Sequence, residues 1–202
     1  MDNTTETSCG ILANKLKTLR RQRQLTLQAL SERSGISTAT LSKIENGRLS
    51  PTYEKIIALA KGLEVEISAL FGDEVQQPSG GRRSVVRSGG GVPYHSAQYA
   101  YELLHTDLNH KRFTPMLAVL KAHERSEFPR LHHHEGEEFF YVLSGRVTLY
   151  TEYYTPVTLD PGDSCYLDSS MGHACISASE QDAHILWISY TVSFATDHTD
   201  VG

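Results

Sequence analysis

Apolar residues recur at helical spacing through the first third of the chain and at near-alternate positions through its second half. Leu12, Leu16 and Leu19 mark one face of a first helix. Thr26 is suited to cap a second helix carrying Leu27 and Leu30, which Gly35 ends. Ser37 caps a third, "TATLSKIENG", with Leu41 and Ile44 turned inward and Gly47 closing it. Pro51 and Thr52 open a fourth through Ile56, Leu59 and Leu63, and a short fifth surrounds Ser68 to Phe71. From Gly89 onward, short Tyr/Val/Leu runs split by Gly, Pro and Asp predict strands joined by tight turns, hence a sandwich or barrel.

The expected organisation is a disordered arm at 1–10, an all-α domain at 11–72, a linker at 73–92, an all-β domain at 93–192 and a tail at 193–202. The linker is placed on "DEVQQPSGGRRSVVRSGGGVP", whose Gly, Ser, Pro and Gln replace any apolar period and imply flexibility. Charge divides along the same line. Ile11 to Leu63 holds ten Lys/Arg against three Asp/Glu, and Gly89 to the end holds six against fifteen. All ten histidines lie beyond residue 90. Opposite charge and separate histidine usage point to different partners for the two parts.

No apolar run reaches bilayer-spanning length, so no membrane partner is expected. The start lacks the basic and apolar regions of a secretory signal. Three widely spaced cysteines do not form a disulfide framework. These features are those of a cytoplasmic protein.

The second and third helices, joined across "SGIS", have the form of a helix-turn-helix whose second member enters the DNA major groove. Ser37, Thr38, Thr40, Ser42 and Lys43 are small or flexible enough to reach bases and phosphates. Arg48 and the "LRRQR" cluster are candidates for phosphate contacts. A solvated helical bundle with incidental basic charge is the alternative. The stretch from "LKTLRRQR" through "SKIENGRLSP" to "ISALF" resembles the Cro/phage-repressor (XRE) type of DNA-binding domain. That resemblance implies base contacts from Ser37, Thr38, Ala39 and Lys43, backbone contacts from Thr26, Asn46 and Arg48, and homodimers on two-fold double-stranded operators.

In "LHHHEGEEFFYVLSG", His132 and His134 share one strand face with Glu138, and His133 takes the other. Two or three imidazoles and a carboxylate suit a divalent transition metal, and a solvated acidic loop is the alternative. Together with "LDPGDSCYLDSSMGHA", the segment resembles the cupin family. His132, His134, Glu138 and Gly145 match the first motif, and Pro161, Gly162 and His173 match the second. The resemblance implies a jelly-roll barrel holding one metal per chain (Zn, Fe, Ni or Mn) on His132, His134, Glu138 and His173. Tyr101, Arg112 and Arg130 are candidates for binding a small anionic effector.

The order of domains suits two classes of function. One is a transcription regulator whose barrel senses an effector and is not an enzyme. The other is a mononuclear non-haem iron enzyme resembling the hydroxypropylphosphonate epoxidases, which share this order. Two departures disfavour the enzyme. The lysine that those epoxidases bring to the substrate falls at Gln24, and His132 would close a coordination position that oxygen chemistry needs open. The regulator is the expected function.

Overall fold

The computed structural model describes residues 3–72, 82–108 and 111–190, with side chains described from residue 10 onward. Helices α1 (Asn3–Gln22), α2 (Leu27–Ser34), α3 (Thr38–Glu45) and α4 (Tyr53–Leu63) are followed by a 3-10 turn at Ile67–Leu70. Leu12, Leu16, Leu30, Leu41, Ile44, Ile56, Leu59 and Leu63 are all buried, so the apolar spacing marks the face that packs. The caps form where the sequence places them. Thr26 accepts from the Ala29 amide, Ser37 from the Thr40 amide, and Gly35 closes α2 at φ 69°.

Helix α1 begins at Asn3, so most of the stretch expected as a disordered arm is helical. Extending a nucleated helix adds one hydrogen bond per residue ordered, which favours growth back from the packed turns. The expected linker falls partly outside the described residues, and the tail entirely so.

Among the described residues the second half builds nine strands. They are β1 (Val92–His95), β2 (Tyr99–Leu103), β3 (Thr114–Leu120), β4 (Glu137–Ser144), β5 (Val147–Thr151), β6 (Val157–Leu159), β7 (Ser164–Asp168), β8 (His173–Ser177) and β9 (Ala183–Tyr190). A six-stranded sheet runs β1-β2-β3-β9-β4-β7, and a three-stranded sheet runs β6-β5-β8. Alternation sends Tyr101, Met116, Ala118, Glu138, Phe140, Ile185 and Trp187 inward. Among the described residues no helix is long and apolar enough to cross a membrane.

Gly145 turns the chain from β4 to β5 at φ 74°, and a Cβ there would lie 2.8 Å from the Ala183 Cα. Gly145→Ala is expected to cost about 2–4 kcal/mol, combining a left-handed backbone with a contact that backbone atoms cannot relieve. Denaturant unfolding of the variant checks this.

The two halves are not separated by a free joint. One continuous apolar cluster runs from Leu12 and Ile56 through Phe71 and Tyr94 to Trp187. Phe71 meets Tyr94 edge-on at 5.5 Å between ring centroids, and the Tyr94 hydroxyl donates to the Pro51 carbonyl. The Ser50 hydroxyl donates to the His95 carbonyl. The helical domain therefore sits on one end of the strand sandwich, with the start of α4 pointing into it.

A candidate metal centre beneath the helical domain

Three of the four expected ligands converge. His134 stands in the loop before β4, Glu138 is the second residue of β4, and His173 opens β8. Backbone bonds between the two motif segments hold them in register. The His132 amide donates to the His173 carbonyl at 3.0 Å, the reverse bond is 2.8 Å, and the His134 amide reaches the Ser169 carbonyl at 2.8 Å. His134 Nε2 lies 2.9 Å from Glu138 Oε1, and His173 Nε2 lies 3.3 Å from Glu138 Oε2. One ligand atom from each residue falls within 4.8 Å of the others.

The donor set fits a metal ion. His134 Nδ1 is 3.2 Å from the Glu135 carbonyl and His173 Nδ1 is 2.9 Å from the Met171 carbonyl. A carbonyl can only accept, so each Nδ1 carries a proton, and the Nε2 aimed at the carboxylate is the atom each ring would offer to a metal in place of its own proton. Burial works against protonating His134, but the hydrogen bond and charge of Glu138 outweigh it and raise its pKa. Burial lowers the pKa of His173. Glu138 is 1% exposed, and its Oε2 has no hydrogen bond of good geometry. A buried carboxyl group with two imidazole nitrogens beside it is a donor set that a metal cation would satisfy.

His132 does not join this cluster. It lines the same cavity, but its Nδ1 lies 3.1 Å from Glu54 Oε2 of α4, and Arg130 reaches Glu54 Oε1 at 3.1 Å. Those contacts hold the Glu54 pKa low, against burial that would raise it. The sequence shows the shared parity of His132 and His134, but not that a helix from the other domain takes up the first imidazole. His133 is exposed, as alternation requires.

Thr52, Tyr53 and Glu54 line the cavity from above, and Ser96, Gln98, Tyr99, Tyr101 and Trp187 from the barrel. The Tyr53 ring packs 5.9 Å from Tyr101 and edge-on to His134 at 6.3 Å. Burial raises the Tyr53 pKa, so the phenol keeps its proton. Its hydroxyl faces Ser189 and Thr114 without a hydrogen bond of good geometry. Thr52 Oγ1, Tyr53 OH, Glu138 Oε2 and Trp187 Nε1 are all buried without such a bond, which marks the cavity as a place for a polar guest. The free space is only about 30 Å³. That is room for an ion with a water molecule, not for an organic effector.

Of the expected effector residues, Tyr101 lines the cavity and Arg130 stands at its rim on Glu54. Arg112 is exposed on the bend before β3 and is not among the lining residues, because its strand enters the barrel only from Thr114. Gln24 is also exposed and away from the cavity. Tyr53, Glu54, Gln98 and Trp187 were not legible as site residues, since their spacing carries only helix and strand information.

On the helical domain, Ala39, Lys43 and Asn46 form an exposed stripe on α3, flanked by Ser37 and Arg48 and opposite buried Leu41, Ile44 and Glu45. Thr38, Thr40 and Ser42 are half-buried beside it, and Thr26 is exposed at the start of α2. Some of these groups are engaged in holding the helix. The Ser37 hydroxyl caps α3, and the Asn46 amide donates to the Ser42 carbonyl at 2.7 Å. Arg20 of the "LRRQR" cluster is not available to phosphate, because it binds Glu45 at 2.6 and 2.9 Å and the Leu25 carbonyl at 2.7 Å.

Residues 16–70 match the helix-turn-helix family model and residues 116–189 the cupin domain model. The chain thus carries a segment that matches a helix-turn-helix model, followed by one that matches a cupin domain model. It is 42% identical over 81 residues to an uncharacterised HTH-type transcriptional regulator of Bacillus subtilis, a match covering 35% of this chain and 58% of that one. The chain thus spans little more than half the length of that relative. A crystal structure of a helix-turn-helix family transcriptional regulator from Vibrio cholerae shares its fold over 91% of this chain and 97% of the other, at 22% identity and TM-score 0.58. Hydroxypropylphosphonic acid epoxidase from S. wedmorenis aligns over 90% of this chain and 98% of its own at 20% identity, with a TM-score of 0.45.

Proposed function

We propose that the protein is a cytoplasmic DNA-binding transcription regulator whose barrel holds one divalent transition metal and answers to a small molecule. The observation that carries this reading is the exposed α3 stripe, mounted on a domain whose core continues into the metal-site barrel. A residue stripe of this kind reads base edges, Lys43 among its members, while Thr26, Asn46 and Arg48 hold the phosphates on either side. Two copies on a two-fold operator supply two such helices. His134, Glu138 and His173 would hold the metal, which as a Lewis acid would attract the donor atoms of an effector. Occupation of the barrel then changes operator affinity by the coupling energy between the two sites, typically ~1–3 kcal/mol.

One observation favours the iron-enzyme reading. With His132 turned to Glu54, the two-histidine, one-carboxylate set leaves coordination positions open. Against it stands the cavity, whose free space of about 30 Å³, with Tyr53 among its walls, is water-sized. Steady oxidation of a small phosphonate by iron-loaded protein would decide for the enzyme.

The regulator is tested with the full-length protein and its own upstream DNA. Binding is expected to weaken steeply with salt, as counterion release requires. Arg48→Ala should weaken every sequence alike, whereas Lys43→Ala should also narrow the difference between operator and random DNA. Salt-independent or absent binding counts against the reading.

A further inference from the structure

We propose that Tyr53 and Glu54 are a built-in stopper for the barrel, occupying the place of its effector, and that the effector is a single-ring aromatic carboxylate. This rests on the regulatory reading of the site and adds what binds there and how the helical domain is told. The cavity has no room for an organic molecule while Tyr53 is in place. Something must move, and the walls differ in how firmly they are held. Trp187 lies in β9, bonded on both sides by β3 and β4. The Tyr99 hydroxyl donates to the Cys175 carbonyl at 2.9 Å and accepts from the Cys175 amide at 3.1 Å. The His132 and His173 segments are tied by paired backbone bonds. Tyr53 belongs to no strand ladder, and the start of α4 is tied to the barrel by side-chain bonds alone, Glu54 on Arg130 and His132 and Tyr94 on Pro51. Tyr53 is the first residue of α4, and its hydroxyl ends without a hydrogen bond of good geometry.

What the stopper touches describes its replacement. The phenol ring lies between Tyr101 and His134, a slot for one flat ring. The neighbouring Glu54 carboxylate occupies Arg130 and His132. When both leave, an aromatic slot opens with two basic side chains at its rim. A ligand bearing a ring and a carboxylate satisfies both surfaces that the stopper gave up, and its carboxylate can pair with Arg130 or reach towards the metal ligands. Because Tyr53 and Glu54 open α4, and α4 packs on α2 beside α3, they cannot leave the mouth without the helical domain shifting on the barrel. The ligand competes with the helical domain itself for the barrel mouth. That competition is a differential affinity for two states, which population shift requires.

The test uses benzoate and the fluorescence of Trp187, which lines the cavity and is the one tryptophan in the chain. Full-length protein is compared with Tyr53→Ala, Tyr53→Phe and Glu54→Gln, each first shown to keep its fold by circular dichroism. Tyr53→Ala should bind benzoate at least about tenfold more tightly than wild type, since the competitor is gone. Glu54→Gln should bind it several-fold more tightly, and Tyr53→Phe, which keeps the ring, within about threefold of wild type. Saturating benzoate should raise the radius of gyration of the wild type in solution scattering. Equal affinity of wild type and Tyr53→Ala, no binding by either, or binding without a change in radius would each overturn the stopper. Metal content and DNA binding are measured separately. Loss of either with the benzoate series intact would sink the metal or regulatory reading and leave the stopper standing.

Discussion

Replacing Glu138 with glutamine is expected to strip the protein of its metal, lowering affinity by more than a hundredfold. Glu138 is the one carboxyl member of the cluster, and both imidazoles turn their Nε2 atoms to it. Changes to groups that merely orient metal ligands already cost about 10–100-fold, so loss of a ligand costs more. Glutamine keeps the size of the side chain, and the barrel should survive. His134→Ala and His173→Ala should each remove most of the metal for the same reason. His133→Ala should not, because that side chain is exposed. His132→Ala separates two accounts of the site. A fourth ligand would take the metal with it, whereas a partner of Glu54 would leave metal content near wild type and loosen the start of α4. The structure favours the second outcome. Metal analysis of the purified variants after dialysis reads all five.

The second large effect concerns stability. Arg20→Ala should destabilise the protein by about 3–5 kcal/mol, because it strands a buried carboxylate. The side chains of Arg20 and Glu45 are 13% and 6% exposed, and they meet through two hydrogen bonds. The Glu45 hydrogen bond raises the Arg20 pKa against the opposing effect of burial, so the guanidinium stays charged. A double variant, Arg20→Met with Glu45→Leu, should recover most of the loss, since replacing a whole buried pair by apolar side chains is often neutral or better. Surface pairs behave differently. Arg33 and Glu64 lie 3.1 Å apart but are well exposed, and breaking them should cost under about 1 kcal/mol. Denaturant unfolding of the variants provides the comparison, and an Arg20→Ala loss as small as that of the exposed pair would show that Glu45 is resolvated.

Much of each half was legible because it is local. Apolar spacing marks the buried faces of α1 to α4, and Thr26, Ser37 and Gly35 set helix ends through bonds spanning only a few residues. Strand alternation places Glu138 inward on β4 for the same reason, whereas His134 and His133 stand in the loop before it, one turned to the cluster and the other exposed. Gly145 and Gly162 mark tight turns because their backbones take positive φ, 74° and 99°. What brings His173 to Glu138 is the pairing of distant strands, to which only the likeness of the two cupin segments pointed.

Contacts between elements distant in sequence were not legible. Arg20 reads as a phosphate contact in a basic run, and only folding shows it spent on Glu45. The Gly/Ser-rich connection reads as a free joint, yet Tyr94, Phe71 and Pro51 close one core across the two domains. Tyr53 and Glu54 look like the first turn of an ordinary amphipathic helix. Their spacing says which way they face from α4 and nothing about what lies there. Periodicity describes a residue relative to its own element, whereas a site between domains depends on where a second element comes to rest. The local sequence therefore determined the helices, the strands and the inward face of Glu138, while tertiary packing alone decided that His132 is held by a helix from the other domain and that Tyr53 and Glu54 line the mouth above the candidate site.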